Sequence, residues 1–333
     1  RYHTDHHAEA GAADYLSAAR DQARIFGEPF GDHSSVPTLA VSALARRHVT
    51  VALTGDGGDE VFAGYRRYRW HMLAEAVRRH VPARLRRSVI APLAHAYPKL
   101  DRAPRWLRAK NTLTEISLDA ALGYYRTVCK LHDDRRRGLF SPAMRAELDG
   151  HDPAARFAEH MAACDPDEPL LAAQYTDLQT YLPGDILVEV DRTSMAVSLE
   201  VRPPLLDHEF LAWGMALPAA AKLRGGVGKR VLRDAAAGLL PPELLERRKQ
   251  GFAADISSQL RAGSDMLRRR LLGPAMLDSG FFDRTALAHL VEEHASGRHD
   301  HAQPLWQLLV FEGFLAQAED HRTRPSVPLA VSA

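Results

Sequence analysis

The 333-residue chain has few cysteines and no long hydrophobic run. Its two cysteines, Cys129 and Cys164, are far apart and have no Cys-x-x-Cys or His cluster beside them, so neither a disulfide framework nor a zinc site is indicated. We expect both thiols to be buried and inert. No stretch of about 18 apolar residues is present to span a bilayer. We therefore expect a cytoplasmic protein without a membrane partner.

Lysine is also scarce, since only six of the 43 basic residues are lysines. A position that uses lysine rather than arginine can therefore indicate a need for a compact single charge. The net charge is +1, and binding to nucleic acid needs a strong basic excess on one face, so we expect no nucleic-acid partner. The arginine-rich stretch from Arg66 to Ile90 has apolar residues at roughly helical spacing, which favours a solvated helix face.

Two helices are predicted near the beginning of the chain. Residues 12–26 have a helical pattern. A Gly/Pro-broken loop follows, and then Ser34 and Ser35 as candidate helix caps. An apolar stripe that includes Val41 predicts a second helix from about Val36 to Arg46.

The stretch His48 to Leu53 predicts a short buried strand, and a glycine-rich loop comes directly after it. Helix, strand, glycine loop and helix form the order of a parallel α/β nucleotide-binding unit. From Trp70 to Gln317 nearly everything reads as amphipathic helix, except a β-prone bend at Ser198 to Asp207. Because two strands cannot form a sheet that is stable alone in water, we expect further strands upstream of Arg1 or on another chain.

The glycine loop has the sequence TGDGGDE. Its glycines allow a ligand to approach the backbone closely, and the following helix start points N–H groups at an anion; they are Gly55, Gly57 and Gly58. Its acidic side chains would repel phosphate unless a cation lay between, which suggests magnesium; they are Asp56, Asp59 and Glu60. An ordinary strand-to-helix turn, with acids that favour the helix dipole, fits the loop equally well.

Two further segments contain candidate functional residues. In GGVGKRVLRDA, Lys229 follows three glycines at a helix start, where its ammonium could meet an anion; an ordinary glycine turn is the alternative. In DRTSMAVSLEVRPPLLD the charges stand among apolar residues, so we expect them to be paired and partly buried, either as structural ion pairs or as a substrate site. They are Asp191, Arg192, Glu200, Arg202 and Asp207.

Together and in this order, these motifs resemble the synthetase domain of glutamine-dependent asparagine synthetases, in the ATP pyrophosphatase group with the β-lactam synthetases. The likeness covers nearly the whole chain, from TDHH and EPFGDHSSVPT through TGDGGDEVFAGY, LPGDILVEVDRTSMAVSLEVRPPLLD and GGVGKRVLRDA to RRKQGF and LWQLLVFEGF. It implies a ligase that converts aspartate or another carboxylate to an amide. The reaction consumes ATP through an acyl-adenylate, releases AMP and pyrophosphate, and takes ammonia from a glutaminase domain.

The resemblance also implies roles for individual residues. Thr54 and Gly55 match positions that line the ATP site, which Gly57 and Gly58 extend. Asp56 matches the acid associated with forming the adenylate, and Asp59 matches the carboxylate that binds Mg²⁺ and pyrophosphate. Lys229 matches the lysine that stabilises developing negative charge. The carboxylate substrate is assigned to Arg202, with Glu200 and Asp207 in support.

The chain departs from the family pattern in three ways. It lacks the upstream SGGxDS phosphate loop, it lacks the N-terminal glutaminase with its terminal cysteine, and Pro203 replaces the usual β-branched residue in EVRxPLLD. We therefore expect an N-terminally truncated fragment. Residues 1–68 would be the end of the α/β core, 69–320 a helical synthetase region and 321–333 a disordered tail.

Two alternative functions and the oligomeric state remain open from the sequence. The chain could belong to a natural-product relative such as a β-lactam synthetase or a lasso-peptide cyclase. It could also be a non-catalytic subunit, because the phosphate loop is missing. In either case the chain could form a homo-oligomer.

Overall fold

The computed structural model describes residues 4–9, 14–98, 104, 109–247 and 255–323. The first elements are α1 (Tyr15–Phe26), α2 (Ser35–Arg46), β1 (Val51–Leu53), α3 (Gly58–Val61) and α4 (Arg66–His80). The middle elements are α5 (Ala83–Leu85), a π-helical segment (Arg86–Ile90), α6 (Ala91–Ala96), α7 (Lys110–Ser117), α8 (Ala120–Val128), α9 (Asp133–Leu139), α10 (Pro142–Glu147), α11 (Ala154–Ala162), α12 (Pro169–Gln179), a second π-helical segment (Leu182–Ile186) and α13 (Leu187–Met195). The last elements are β2 (Glu200–Arg202), a 3₁₀ turn (Pro204–Leu206), α14 (His208–Ala216), α15 (Ala219–Lys222), α16 (Arg230–Ala236), α17 (Pro242–Glu246), α18 (Ile256–Ala262), α19 (Ser264–Leu271), α20 (Pro274–Leu277), α21 (Arg284–Ala295) and α22 (Ala302–Thr323).

The two strands pair in parallel, with Leu53 opposite Arg202, which confirms an α/β class with a large helical region. The predicted β-prone bend is strand β2 followed by the 3₁₀ turn. The expectation of a buried first strand is wrong, because Val51 is 39% exposed and Leu53 is 73% exposed. Within the described ranges the sheet has only these two strands, so no neighbour covers them.

The division at residues 68 and 69 stays a prediction. Strand β1 lies in the first predicted region and β2 in the second, while α4 runs across the proposed boundary. The predicted tail is only partly described: helix α22 continues to Thr323, and residues 324–333 lie outside the described part of the chain.

Helix α1 is confirmed from Tyr15 onward, and residues 12 and 13 are not among those described. The Asp14 side chain caps the helix by accepting from two backbone N–H groups, which satisfies donors that a helix start leaves without partners. Gly27 ends the helix in the left-handed conformation, with φ of 71°. Helix α1 crosses α22 closely: a Cβ on Gly313 would lie 3.2 Å from the Ala19 carbonyl oxygen.

Helix α2 forms as predicted, but its serines act differently. Neither hydroxyl caps the helix: the Ser34 hydroxyl lies at hydrogen-bond distance from both the Asp32 and the Glu189 carboxylates, and Ser35 donates to the Asp32 carbonyl. The apolar stripe is also not the buried face, since Val41 is 54% exposed. Helix α2 instead buries small residues, including Ser35 and Ser42, where it packs against α13.

The arginine-rich stretch forms α4 and the segment after it, but the expectation of a solvated face is wrong for three of its arginines. Arg67 pairs with the buried Asp177. Arg78 and Arg86 donate to the Leu118 carbonyl and to other carbonyls at the end of α7. A helix end leaves such carbonyls without partners, so these guanidinium groups complete the packing of α7.

The two cysteines are free and only partly buried, so the expectation of two buried thiols is wrong. Burial still raises the pKa of Cys164 above its usual value. Among the helices that the structure describes, none is long and apolar enough to cross a membrane.

Candidate active site

The glycine loop leaves the end of β1 and turns at once into α3. The Thr54 N–H donates to the Arg202 carbonyl at 3.0 Å, so the loop begins where both parallel strands end. Gly57 has φ of 82°, and a Cβ there would lie 2.1 Å from Leu206 Cδ2. Gly58 packs in the same way, 2.8 Å from Leu205 Cδ1. The loop therefore lies directly against the 3₁₀ turn that follows β2, and this contact requires glycine.

The segment before α16 is distant from the glycine loop in the sequence but packs next to it in the fold. The Lys229 N–H donates to the Phe62 carbonyl at 2.8 Å. A Cβ on Gly228 would lie 2.1 Å from the Ala63 carbonyl oxygen, so only glycine allows the two backbones to come this close. Lys229 itself has the left-handed φ of 55°.

This approach brings two predicted site residues together. Lys229 Nζ lies 3.2 Å from Asp59 Oδ1, and both side chains are partly buried. Gly64 closes one side of the pair, because a Cβ there would lie 1.9 Å from Asp59 Oδ1 and 2.5 Å from Lys229 Cε. An ammonium and a carboxylate thus meet at the carboxyl ends of the strands, where parallel sheets bind ligands.

The remaining loop residues surround this pair less closely. Asp56 is partly exposed, and its carboxylate makes no ion pair among the described residues. Gly55 is exposed, and a Cβ there would have nothing within 4 Å. The hydroxyl of Thr54 is buried and has no hydrogen-bond partner in the described part of the chain, so a polar group is left over beside the loop.

Glu60 follows Asp59 in the chain but lies in a different environment, because it is only 1% exposed. Its carboxylate accepts a hydrogen bond from the Tyr65 hydroxyl at 2.7 Å. Burial raises the pKa of Glu60 above its usual value, although this bond opposes the effect. Gln174 Nε2 donates to the carbonyls of Glu60 and Val61. The amide thereby completes the end of α3, the helix that contains Asp59.

The structure places Arg202 and Glu200 beside the glycine loop, on strand β2. Arg202 Nε donates to Glu200 Oε1 at 2.7 Å, but both side chains are more than half exposed. The expectation that the charges of this segment are partly buried is wrong, since Asp191, Arg192 and Asp207 are exposed too. These charges therefore lie at the surface of the described part of the chain.

Asp207 has a separate place in the structure. Its carboxylate accepts from the Glu209 and Phe210 N–H groups, each at 3.1 Å, and so caps α14. This contact gives Asp207 a structural role whether or not it also supports a substrate site.

Sequence reasoning did not single out a cluster of three carboxylates between α2 and α13. One oxygen from each of Asp32, Asp185 and Glu189 lies within 4.8 Å of the others. The Ser34 hydroxyl bridges Asp32 and Glu189, at 2.7 Å from each. The i, i+4 spacing of Asp185 and Glu189 on a helical segment was the available signal.

The three carboxylates differ in how readily they hold a proton. Burial raises the pKa of Asp185 to about 7, and the charges of its two neighbours add to the effect. Burial also raises the pKa of Glu189, against hydrogen bonds from Ser34 and Thr38. Burial would raise the pKa of Asp32 as well, but hydrogen bonds from His33 and Ser34 hold it below its usual value. The three carboxylates therefore do not ionise equally readily.

Comparison with known proteins identifies the family. The family model described as asparagine synthase matches residues 1–318. The chain belongs to the asparagine synthase family. A protein named "Putative asparagine synthetase, glutamine-hydrolyzing" in Mycobacterium bovis is 33% identical over 327 residues, which are 97% of this chain and 48% of that protein. Asparagine synthetase 1 of Bacillus subtilis, also named as glutamine-hydrolyzing, is 28% identical over 287 residues, 86% of this chain and 43% of that protein.

This result confirms the resemblance that the sequence motifs suggested. The chain spans about half the length of the curated relatives that it matches. The glycine loop, the β2 segment and the lysine segment all lie inside the matched residues. In this member of the asparagine synthase family, the three segments meet around the ends of β1 and β2.

Proposed function

We propose that this chain supplies the synthetase part of a glutamine-hydrolysing asparagine synthetase. The reaction would be the ATP-dependent amidation of aspartate through an acyl-adenylate, with release of AMP and pyrophosphate. Family membership supports the reaction class, and the names of the relatives suggest glutamine as the source of ammonia. The observation that carries the proposal is the contact between Asp59 and Lys229 beside a glycine loop.

The residues of the loop fit a magnesium-bound nucleotide. Mg²⁺ is usually held by one or two carboxylates together with substrate phosphates, and Asp59 and Asp56 would provide such carboxylates. The ion would neutralise charge on the departing pyrophosphate. Lys229 would stabilise the same charge as a compact cation. The unpartnered Thr54 hydroxyl and the Gly57 N–H group would complete the nucleotide site, while the Gly58 N–H donates to the Gly55 carbonyl at 3.3 Å.

Arg202 would bind the carboxylate substrate. It lies at the end of β2, and its carbonyl accepts a hydrogen bond from the Thr54 N–H. A substrate bound there would lie next to the loop. A guanidinium group matches a carboxylate with two parallel hydrogen bonds. In the structure that guanidinium donates a hydrogen bond to Glu200 at 2.7 Å. The substrate carboxylate would have to replace Glu200 as the acceptor.

The test is pyrophosphate release by the full-length protein with ATP, Mg²⁺, aspartate and ammonium. We expect Asp59→Asn and Lys229→Met to lower the rate by about 100-fold or more, because each removes a charge aimed at the transition state. Lys110→Met and Asp265→Asn are the matched controls. Lys110 bonds to backbone carbonyls at the end of α6, and Asp265 is exposed in α19, so both should keep the wild-type rate.

Either of two results would overturn the proposal. Unchanged pyrophosphate release in Asp59→Asn and Lys229→Met would remove the assigned site. Release that depends on another carboxylate, with aspartate inert, would keep the site but assign the chain to an amide-forming natural-product enzyme.

A further inference from the structure

A cavity near α3 has a buried lysine in its lining. The cavity has a volume of about 480 Å³ and lies among α4, α12 and the segment from Met215 to Lys222. Lys222 lines it and is only 1% exposed. It is one of six lysines in a chain that otherwise uses arginine, and a buried lysine is rare unless its charge is paired.

Lys222 lacks an anionic partner within the described part of the chain. Its Nζ donates to the Met215 carbonyl at 3.0 Å and to Gln174 Oε1 at 3.3 Å, and both acceptors are neutral. These bonds use two of the three ammonium N–H groups. Burial lowers the pKa of Lys222 to about 8, and the charge of Glu168 only partly opposes this. The position thus holds a buried cation that an anion would stabilise.

The rest of the cavity limits what that anion can be. Its lining combines polar groups with apolar side chains, which are Met72, Leu170, Leu171 and Leu217. The charged groups at its rim are Arg79, Asp167 and Glu168, all exposed. The two rim carboxylates disfavour a multiply charged anion such as phosphate, while a single carboxylate on an apolar chain matches both the wall and the ammonium.

We propose that the Lys222 cavity binds a small monocarboxylate with an apolar chain, whose carboxylate accepts a hydrogen bond from the Lys222 ammonium. The site is separate from the glycine loop and does not depend on the proposed reaction. It is nevertheless close to that loop, because Gln174 joins Lys222 to the carbonyls at the end of α3.

The scarcity of lysine makes a direct test practical. Protein labelled with ¹³C at the lysine ε-carbon should give six signals, and the signal lost in Lys222→Met is that of Lys222. The probe is pentanoate, and its neutral counterpart is pentanamide. We expect pentanoate to shift the Lys222 signal in a saturable way and to raise its titration midpoint by about one pH unit or more, because an opposite charge favours the ammonium.

The control separates the carboxylate from the apolar chain. Pentanamide should leave the Lys222 midpoint unchanged. The proposal fails if pentanoate does not move the Lys222 signal, if pentanamide moves it equally, or if all six lysine signals move together as an effect of ionic strength. The wild-type protein decides each outcome once the Lys222 signal is assigned. Lys222→Arg, which keeps a cation at the position, provides the same assignment if Lys222→Met does not fold.

Discussion

The buried carboxylate of Asp177 should be among the most sensitive positions in the helical region. It is fully buried, and Oδ2 accepts from the Arg67 guanidinium at 2.7 and 3.1 Å, the Tyr68 hydroxyl at 2.5 Å and the Tyr124 hydroxyl at 2.7 Å. We predict that Asp177→Asn lowers the free energy of unfolding by about 3–5 kcal/mol, because it leaves Arg67 as a buried cation without a counter-charge.

Arg67 cannot avoid that penalty by turning into solvent. Its guanidinium carbon lies 3.8 Å from the centre of the Tyr65 ring and 4.4 Å from that of Tyr181. These contacts hold the cation between two aromatic faces. The Tyr65 hydroxyl in turn bonds to Glu60 on α3. Loss of the Asp177 charge should therefore also loosen the packing of Tyr65 and Glu60 next to the glycine loop.

Urea unfolding of three variants tests this reasoning. Asp234→Asn is the control, because the Arg230–Asp234 pair is exposed and should contribute no more than about 0.5 kcal/mol. The double variant Arg67→Met with Asp177→Leu should recover much of the loss, since neither charge then remains buried alone. A loss below about 1 kcal/mol for Asp177→Asn, or a double variant less stable than Asp177→Asn, would refute the argument.

Three further outcomes follow from local geometry. Gly228→Ala should destabilise the lysine segment by about 1–3 kcal/mol in urea unfolding, because its Cβ would collide with the Ala63 carbonyl oxygen; wild-type stability would contradict the close approach. Asp207→Ala should cost about 1 kcal/mol by the same assay through the lost cap of α14, and no change would mean that the cap is unimportant. Asp185→Asn should flatten the dependence of stability on pH between about pH 4 and pH 7. Because the pKa of Asp185 is raised from 3.8 to about 7, the folded chain retains a proton that the unfolded chain releases, so its stability falls as pH rises through that range; an unchanged slope would contradict the raised pKa.

Local patterns were sufficient for the elements that the chain specifies by itself. Helices α1 and α2 form where apolar periodicity and turn residues predicted them, and β1 and β2 lie within the predicted β-prone stretches. Burial was less predictable, because it depends on what lies opposite. The apolar Leu53 is exposed, because no strand among the described residues covers it. Arg67 is buried, because a carboxylate elsewhere in the chain pairs with it.

The candidate site, too, could be predicted only in part from the sequence. Motifs located Asp59 and Lys229 separately, but their 3.2 Å contact depends on backbone packing that no single segment reveals. The Asp32, Asp185 and Glu189 cluster was missed for a related reason. Its members come from two segments, and each of them alone resembles an ordinary polar residue in a helix or turn.

Backbone strain marks the same region as the ion pair. Among the described residues, the non-glycine positions with positive φ are Ala63, Ser198 and Lys229. Ala63 lies just beyond α3, Ser198 just before β2 and Lys229 just before α16, so all three lie near the segments that build the candidate site. A side chain in this conformation costs about 1 kcal/mol or more. At position 229 glycine would remove that cost, as it does at Gly225 and Gly226. The presence of lysine there is explained if its ammonium, rather than the turn, is what the position must provide.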